Sequence, residues 1–142
     1  MTGARSGSTF GRGAPPDEEA LLIADPRLAL AVSLFNAGDW YGCHDGFEEL
    51  WHETQGPMRP VLQGILQIAV AQLHLERGNT RGATVLIGEG LGRLAGCDQE
   101  ALGLRLEPLR QLARQWLQAL QSGNTGALLP LPTLERVKGD GR

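Results

Sequence analysis

The stretch from Pro60 to Gly78, PVLQGILQIAVAQLHLERG, constrains this chain more than any other. Its length suits a helix, since strands rarely exceed about 8 residues while helices commonly run past about 10–12. Set at 100° per residue, Val61, Leu62, Ile65, Leu66, Ile68, Leu73 and Leu75 cover most of the circumference. A helix that is apolar nearly all round needs other elements packed on several sides. Gln63, Gln67 and His74 share one narrow stripe of that wheel. Buried amides and imidazoles cost roughly 1–3 kcal/mol each unless paired, so this stripe predicts a polar partner elsewhere in the chain.

The remaining periodic segments are also helical. A helix is expected to start at Asp25-Pro26, an N-cap followed by proline, with Leu28, Val32 and Phe35 on its inner face and a close at Asn36-Ala37-Gly38. Asp39 caps the next helix, which runs through Thr54 to the Gln55-Gly56-Pro57 break. After Gly78, Asn79 or Thr80 caps a helix over about 81–95, interrupted by Gly82, Gly88, Gly90 and Gly92 at roughly 1 kcal/mol each relative to alanine. Such a helix depends on tertiary packing, and its glycines suit close backbone approach. Cys97 to Leu106 reads as a connection, and a last helix runs from Glu107-Pro108 to about Ser122. No strand pattern competes. The expected fold is all-α, a compact bundle of about five helices built on antiparallel hairpins.

The ends are different in kind. Residues 1–16 are rich in Gly, Ser and Arg and cannot bury enough apolar surface to offset ordering entropy. The expected organisation is a disordered N-terminal arm over 1–24, a helical domain over 25–122 and an extended tail over 123–142 whose leucines lie against the bundle. A faint echo links Gly38-Asp39-Trp40-Tyr41-Gly42-Cys43 to Gly78-Asn79-Thr80-Arg81-Gly82-Ala83, 40 positions on. Two copies do not establish a solenoid, so both are read as helix–turn–helix corners.

Charge and cysteine usage narrow the function. A net charge of −3 lacks the basic footprint of nucleic-acid binding. No apolar run approaches the about 18 residues of a membrane span. Cys43 and Cys97 are too few for a disulfide scaffold and read as reduced thiols in a cytoplasmic protein.

The residues able to carry chemistry lie on the helix from Trp40. Trp40, Cys43, Phe47, Leu50 and Trp51 form its buried face; His44 sits at the core edge, with Glu48 one turn on. Because only a short corner separates this helix from the next, His44 and Glu48 are expected opposite the later part of the 60–78 helix. The candidate pocket is therefore His44, Glu48, Gln67 and His74, with Asn79 joining from the corner; His52 is the weaker, more exposed candidate. One reading is a self-satisfied polar network that sets helix register. A second is a metal site, with His44, Glu48 and His74 as a first shell for a hydrolase-like divalent ion. A third is a metal-free binding or acid–base pocket. The three tryptophans read as packing, Cys43 lacks an orienting base, and Arg105, Arg110 and Arg114 read as a solvated face.

Two blocks carry a family resemblance. FNAGDWYGCHDGFEELW places Asn36, Gly38, Tyr41, His44, Asp45, Glu48 and Trp51, and LQGILQIAVAQLHLERGNTRGA places Gly64, Gln67, His74, Gly78, Asn79, Gly82 and Ala83. Over about Leu34–Leu94 the chain resembles domain-of-unknown-function family 309, a small all-helical bacterial and archaeal family. Asp45 stands where glutamate is more usual, and Cys43 where alanine is common. The resemblance implies a compact helical bundle and supplies no accepted activity, and it marks the same polar cluster. The preferred reading is a non-enzymatic binding or structural module; the alternative is the metal-dependent enzyme. No cofactor is required, and a divalent metal is admitted. The partner, protein or small molecule, and a homo-oligomeric state are left open.

Overall fold

The structure, a computed structural model, describes residues 17–124 and 129–138. The described residues are mostly helical. In chain order they form α1 (Glu18–Ala24), α2 (Pro26–Asn36), α3 (Trp40–Glu53), α4 (Arg59–Glu76), α5 (Thr80–Ala95), β1 (Glu100–Ala101), β2 (Leu104–Arg105), α6 (Leu106–Gln121) and β3 (Glu135–Arg136). Helix α4, the segment from which the fold was read, is the hub: it packs most extensively on α5 and next on α3, while α2 lies on α3 and α6 on α5. Val61, Leu62, Ile65, Ile68, Ala69 and Ala71 are all 1% exposed or less. Among the described residues no helix is long and apolar enough to cross a membrane.

The two corners echo each other bond for bond. Gly38 and Gly78 take left-handed φ of 74° and 77°. Asp39 N–H donates to the Leu34 carbonyl (2.9 Å) and Asn79 N–H to that of His74 (2.8 Å), the 6→1 bond of a Schellman close. Oδ1 of Asp39 then accepts from Gly42 N–H, and Oδ1 of Asn79 from Gly82 N–H, both at 2.9 Å. Burial repeats as well: Cys43, Phe47 and Leu50 on α3 face inward as Ala83, Ile87 and Gly90 do on α5. The same close recurs after α6, where Gly123 has φ 80° and Asn124 N–H donates to the Ala119 carbonyl.

Glycine decides how closely α4 and α5 approach. A Cβ at Gly90 would lie 3.0 Å from the Gly64 carbonyl oxygen and from Ile68, and one at Gly64 would lie 2.7 Å from the Leu94 side chain. Gly88 and Gly92 meet nothing within 4 Å. The close approach expected of this glycine-rich helix thus falls on Gly90 alone.

Three features differ from the sequence reading. First, residues 18–24, expected in the disordered arm, form α1. Asp17 caps it, Glu18 accepts from Gly56 N–H (2.7 Å) and Met58 N–H (2.8 Å), and Glu19 accepts from Leu102 N–H (2.8 Å). The cap is local, but a helix of seven residues is too short to stand on it alone, and the Glu18 and Glu19 anchors that hold it are tertiary. Residues 1–16 lie outside the described residues. Second, the Cys97–Leu106 connection, expected to be strandless, holds the β1–β2 hairpin. It forms a three-stranded antiparallel sheet in the order β1-β2-β3. Its turn is Leu102-Gly103 with φ 59° and 73°. Two positive φ values mark a hairpin turn usually written Asn-Gly or Asp-Gly, so a leucine there hides it. Third, the described residues form six helices where about five were expected.

Denaturant midpoints test the close approach. Gly90→Ala is expected to destabilise by about 1–3 kcal/mol, because Cβ meets backbone that cannot yield. Gly92→Ala, in open space, is expected to stabilise by about 0.5–1 kcal/mol.

Candidate functional site

The five candidate residues fall into three separate arrangements, and no hydrogen bond joins one arrangement to another among the described residues. On α3, His44 Nε2 lies 3.8 Å from Glu48 Oε2 and its Nδ1 lies 3.3 Å from Asp45 Oδ1. The side chains are 31% (His44), 43% (Glu48) and 72% (Asp45) exposed, so this is a solvent-facing pair of the kind typically worth under about 1 kcal/mol. Gln67 turns the other way, to α5. Its amide donates to Glu89 Oε1 (3.0 Å) and its carbonyl accepts from Arg93 Nε (3.1 Å).

His74 and Asn79 form the third arrangement. Asn79 Oδ1 is engaged by Gly82 N–H, which leaves Nδ2 to donate to His74 Nδ1 at 2.9 Å. Nδ1 must therefore present a lone pair, and the ring proton sits on Nε2. The imidazole acts as a back-stop for the corner cap. His52 is exposed at the end of α3, its ring 4.7 Å from that of Trp51. His44, Glu48 and His74 do not assemble a metal shell: among the described residues no group of three His, Cys, Asp or Glu side chains could hold an ion.

Two further readings need correction. The fully buried amide of α4 is Gln72, 3% exposed with Nε2 lacking a hydrogen-bond partner among the described residues, whereas Gln63 and Gln67 are half-buried. Gln72 lies on the opposite side of the wheel from the polar stripe, about 180° from Gln63, among the apolar positions that conceal it. Arg110, expected on a solvated face with Arg105 and Arg114, is 7% exposed. Its guanidinium donates to the Leu94 and Cys97 carbonyls, closing the C-terminus of α5, and to Glu107 Oε1. Arg105 and Arg114 are exposed as expected. Arg110, with help from Arg114, holds the Glu107 carboxyl below the usual glutamate range.

Neither cysteine is prepared as a nucleophile. Burial first, then the Asp39 charge, pushes the Cys43 thiol up to about 12. Burial also raises Cys97, against the pull of Arg110. The residue that the candidate pocket missed is Asn36. Its Nδ2 donates to the Leu134 carbonyl (2.9 Å) and its Oδ1 accepts from Leu134 N–H (2.6 Å), across 98 positions of chain. A polar residue two places before a corner glycine, on a helix with all its apolar positions accounted for, was the available signal.

The family model described as "Domain of unknown function (DUF309)" matches residues 28–86, the family that the two sequence blocks resemble. The matched segment holds nearly all of α2, all of α3 and α4, both corners and the start of α5. An uncharacterized protein of Aquifex aeolicus (strain VF5) is 24% identical over 107 residues, 75% of this chain and 31% of that protein. The chain therefore spans about a third of the length of this relative.

Thiol chemistry checks the cysteine environments. With an aromatic disulfide reagent at pH 8, the native protein is expected to react at Cys97 and to spare Cys43 until denaturant is added. Acid stability checks Glu107. Because its folded value is depressed, its contribution is present above the ordinary glutamate range, about 4.3, and is lost as pH falls through the lower folded value. Glu107→Gln is thus expected to lower the denaturant midpoint at pH 7 and to leave it unchanged near pH 2.

Proposed function

We propose that this chain is a non-enzymatic helical scaffold, a pair of antiparallel hairpins (α2–α3 and α4–α5) that holds a partner on its surface. One observation supports the reading above the others: the polar side chains that stand out in the sequence are engaged in building the fold. Asp39 and Asn79 cap α3 and α5, His74 backs the second cap, and Gln67 ties α4 to Glu89 and Arg93. An acid–base or nucleophilic site needs such groups to converge on one reacting atom, within hydrogen-bond reach of it. His44 and Glu48, the pair left at the surface, suit partner contact better than chemistry.

The hairpin pair is the core of the proposed domain, 25–122, with α1 and the C-terminal segment as docked flanks. The two free thiols accord with a reducing, cytoplasmic setting.

Stability and metal content together test this reading. His44→Ala and Glu48→Gln are expected to change unfolding free energy by less than about 0.5 kcal/mol, as exposed substitutions do. Asn79→Ala is expected to cost about 1 kcal/mol, a lost cap. Protein purified without an affinity tag is expected to carry no stoichiometric metal. Stoichiometric divalent metal that disappears in Glu48→Gln would overturn the scaffold reading.

A further inference from the structure

The segment Leu129–Val137 runs as an extended strap along α6 and past the end of α2. Its side chains alternate: Pro132 and Leu134 are buried, while Leu131, Thr133 and Glu135 are exposed. Its main chain is held at Pro130 and again from Leu134 to Val137. Trp116 Nε1 donates to the Pro130 carbonyl (2.9 Å), Asn36 pairs with both the N–H and the carbonyl of Leu134, and β3 pairs antiparallel with β2. Val137 N–H completes the series on the Gly103 carbonyl (2.9 Å). Side chains add to this hold: Leu134 is buried in the core and Glu135 pairs with Arg105.

This is the chemistry of extended-peptide recognition, in which main-chain hydrogen bonds supply affinity and pockets for alternate side chains supply selectivity. A carboxamide that donates to a peptide carbonyl and accepts from the same residue's N–H imitates a neighbouring strand and is indifferent to the side chain it holds. A cavity of about 300 Å³ lies between the strap and Pro108, Gln111, Leu112 and Gln115 of α6, with Leu131 56% exposed at its edge.

We propose that the groove formed by Asn36, α6 and the β2 edge is an extended-peptide-binding site, with the strap as its built-in ligand. Its partner is a protein segment of the same chemistry: alternating proline and leucine for the inner pockets, an acidic residue opposite Arg105, and a bulkier apolar side chain at the Thr133 or Leu131 position to fill the cavity. Release of the strap opens the site, so the strap is an autoinhibitory contact. This inference rests on the scaffold reading and names where the scaffold binds.

The test uses the full chain carrying Leu134→Asp, which expels its own strap from the inner pocket, and a fluorescent peptide of residues 129–138, LPLPTLERVK. Anisotropy is expected to show the variant binding the peptide at least about tenfold more tightly than the wild type, a difference of about 1.4 kcal/mol. Adding Asn36→Ala is expected to abolish that gain, as is placing the Leu134→Asp change in the peptide. If Leu134→Asp does not fold by circular dichroism, Leu134→Ala replaces it. Equal binding to the wild type and a folded strap variant overturns the proposal, as does binding insensitive to Asn36→Ala. A wild-type dimer dissolved by the peptide would place a second copy's strap in the groove and overturn the partner assignment. None of these outcomes bears on metal content, so failure here is distinguishable from failure of the scaffold reading.

Discussion

The rest of the fold depends on a matched pair of small residues at two helical corners, α2–α3 and α4–α5. A left-handed glycine reverses the chain, and an Asp or Asn cap starts the next helix within one residue. The cap side chain folds back over the third residue of that helix. A Cβ at Gly42 would lie 2.7 Å from Asp39 Oδ2, and one at Gly82 would lie 2.5 Å from Asn79 Nδ2. Cap and glycine are therefore one unit: the carboxyl or carboxamide takes the volume that a side chain would fill, and in return it satisfies the glycine's orphan N–H. With both corners set this way, α3 is delivered onto α2, and α5 onto α4, at a register that leaves Cys43 and Ala83 at matching depth.

The second corner carries an elaboration that the first lacks. At the first, the residue five before the cap is Leu34, and the Asp39 carboxylate has only to accept from Gly42 N–H. At the second the cap is an amide, and its spare donor is met by His74 through Nδ1. The amide and the imidazole are thus complementary substitutions within one repeated geometry. His74 has a physical reason to stand in a motif block without any catalytic demand. Gln67 has another, since its two-ended amide satisfies an acid and a base from α5 at once.

This division explains what could and could not be read from the residues. Helix positions, both corner caps and the inner face of α4 follow from periodicity and cap chemistry, which act within a turn or two of helix. The grouping of His44, Glu48, Gln67 and His74 did not follow. Helical phase states which face a side chain occupies but not which neighbour that face meets, and Gln67 meets α5 where α3 was expected. Arg110 was misplaced for a related reason. Its long stem lets a charged head reach carbonyls at the end of a different helix, and the buried carbonyls that receive it are invisible in a one-dimensional pattern. The Leu102-Gly103 hairpin was hidden because tertiary burial, with Leu102 at 2% exposure, holds a residue in a conformation its own chemistry disfavours.

Asn36 joins the two regimes. It lies in the segment that matches the family model, yet what it holds, Leu134, lies far beyond that segment's end. An exposed helix-terminal asparagine needs no partner to satisfy its carboxamide, because water suffices. A two-way pairing with a peptide unit therefore reflects a surface shaped to present that carboxamide edge-on to extended chain. The β2 edge and the Trp116 indole present their groups to the same run of backbone. Three elements separated in sequence thus converge on main-chain atoms, while the side-chain volume beside them is left partly unfilled. The combination of a well-read backbone and a loosely filled side-chain groove fits a site whose occupant can be exchanged.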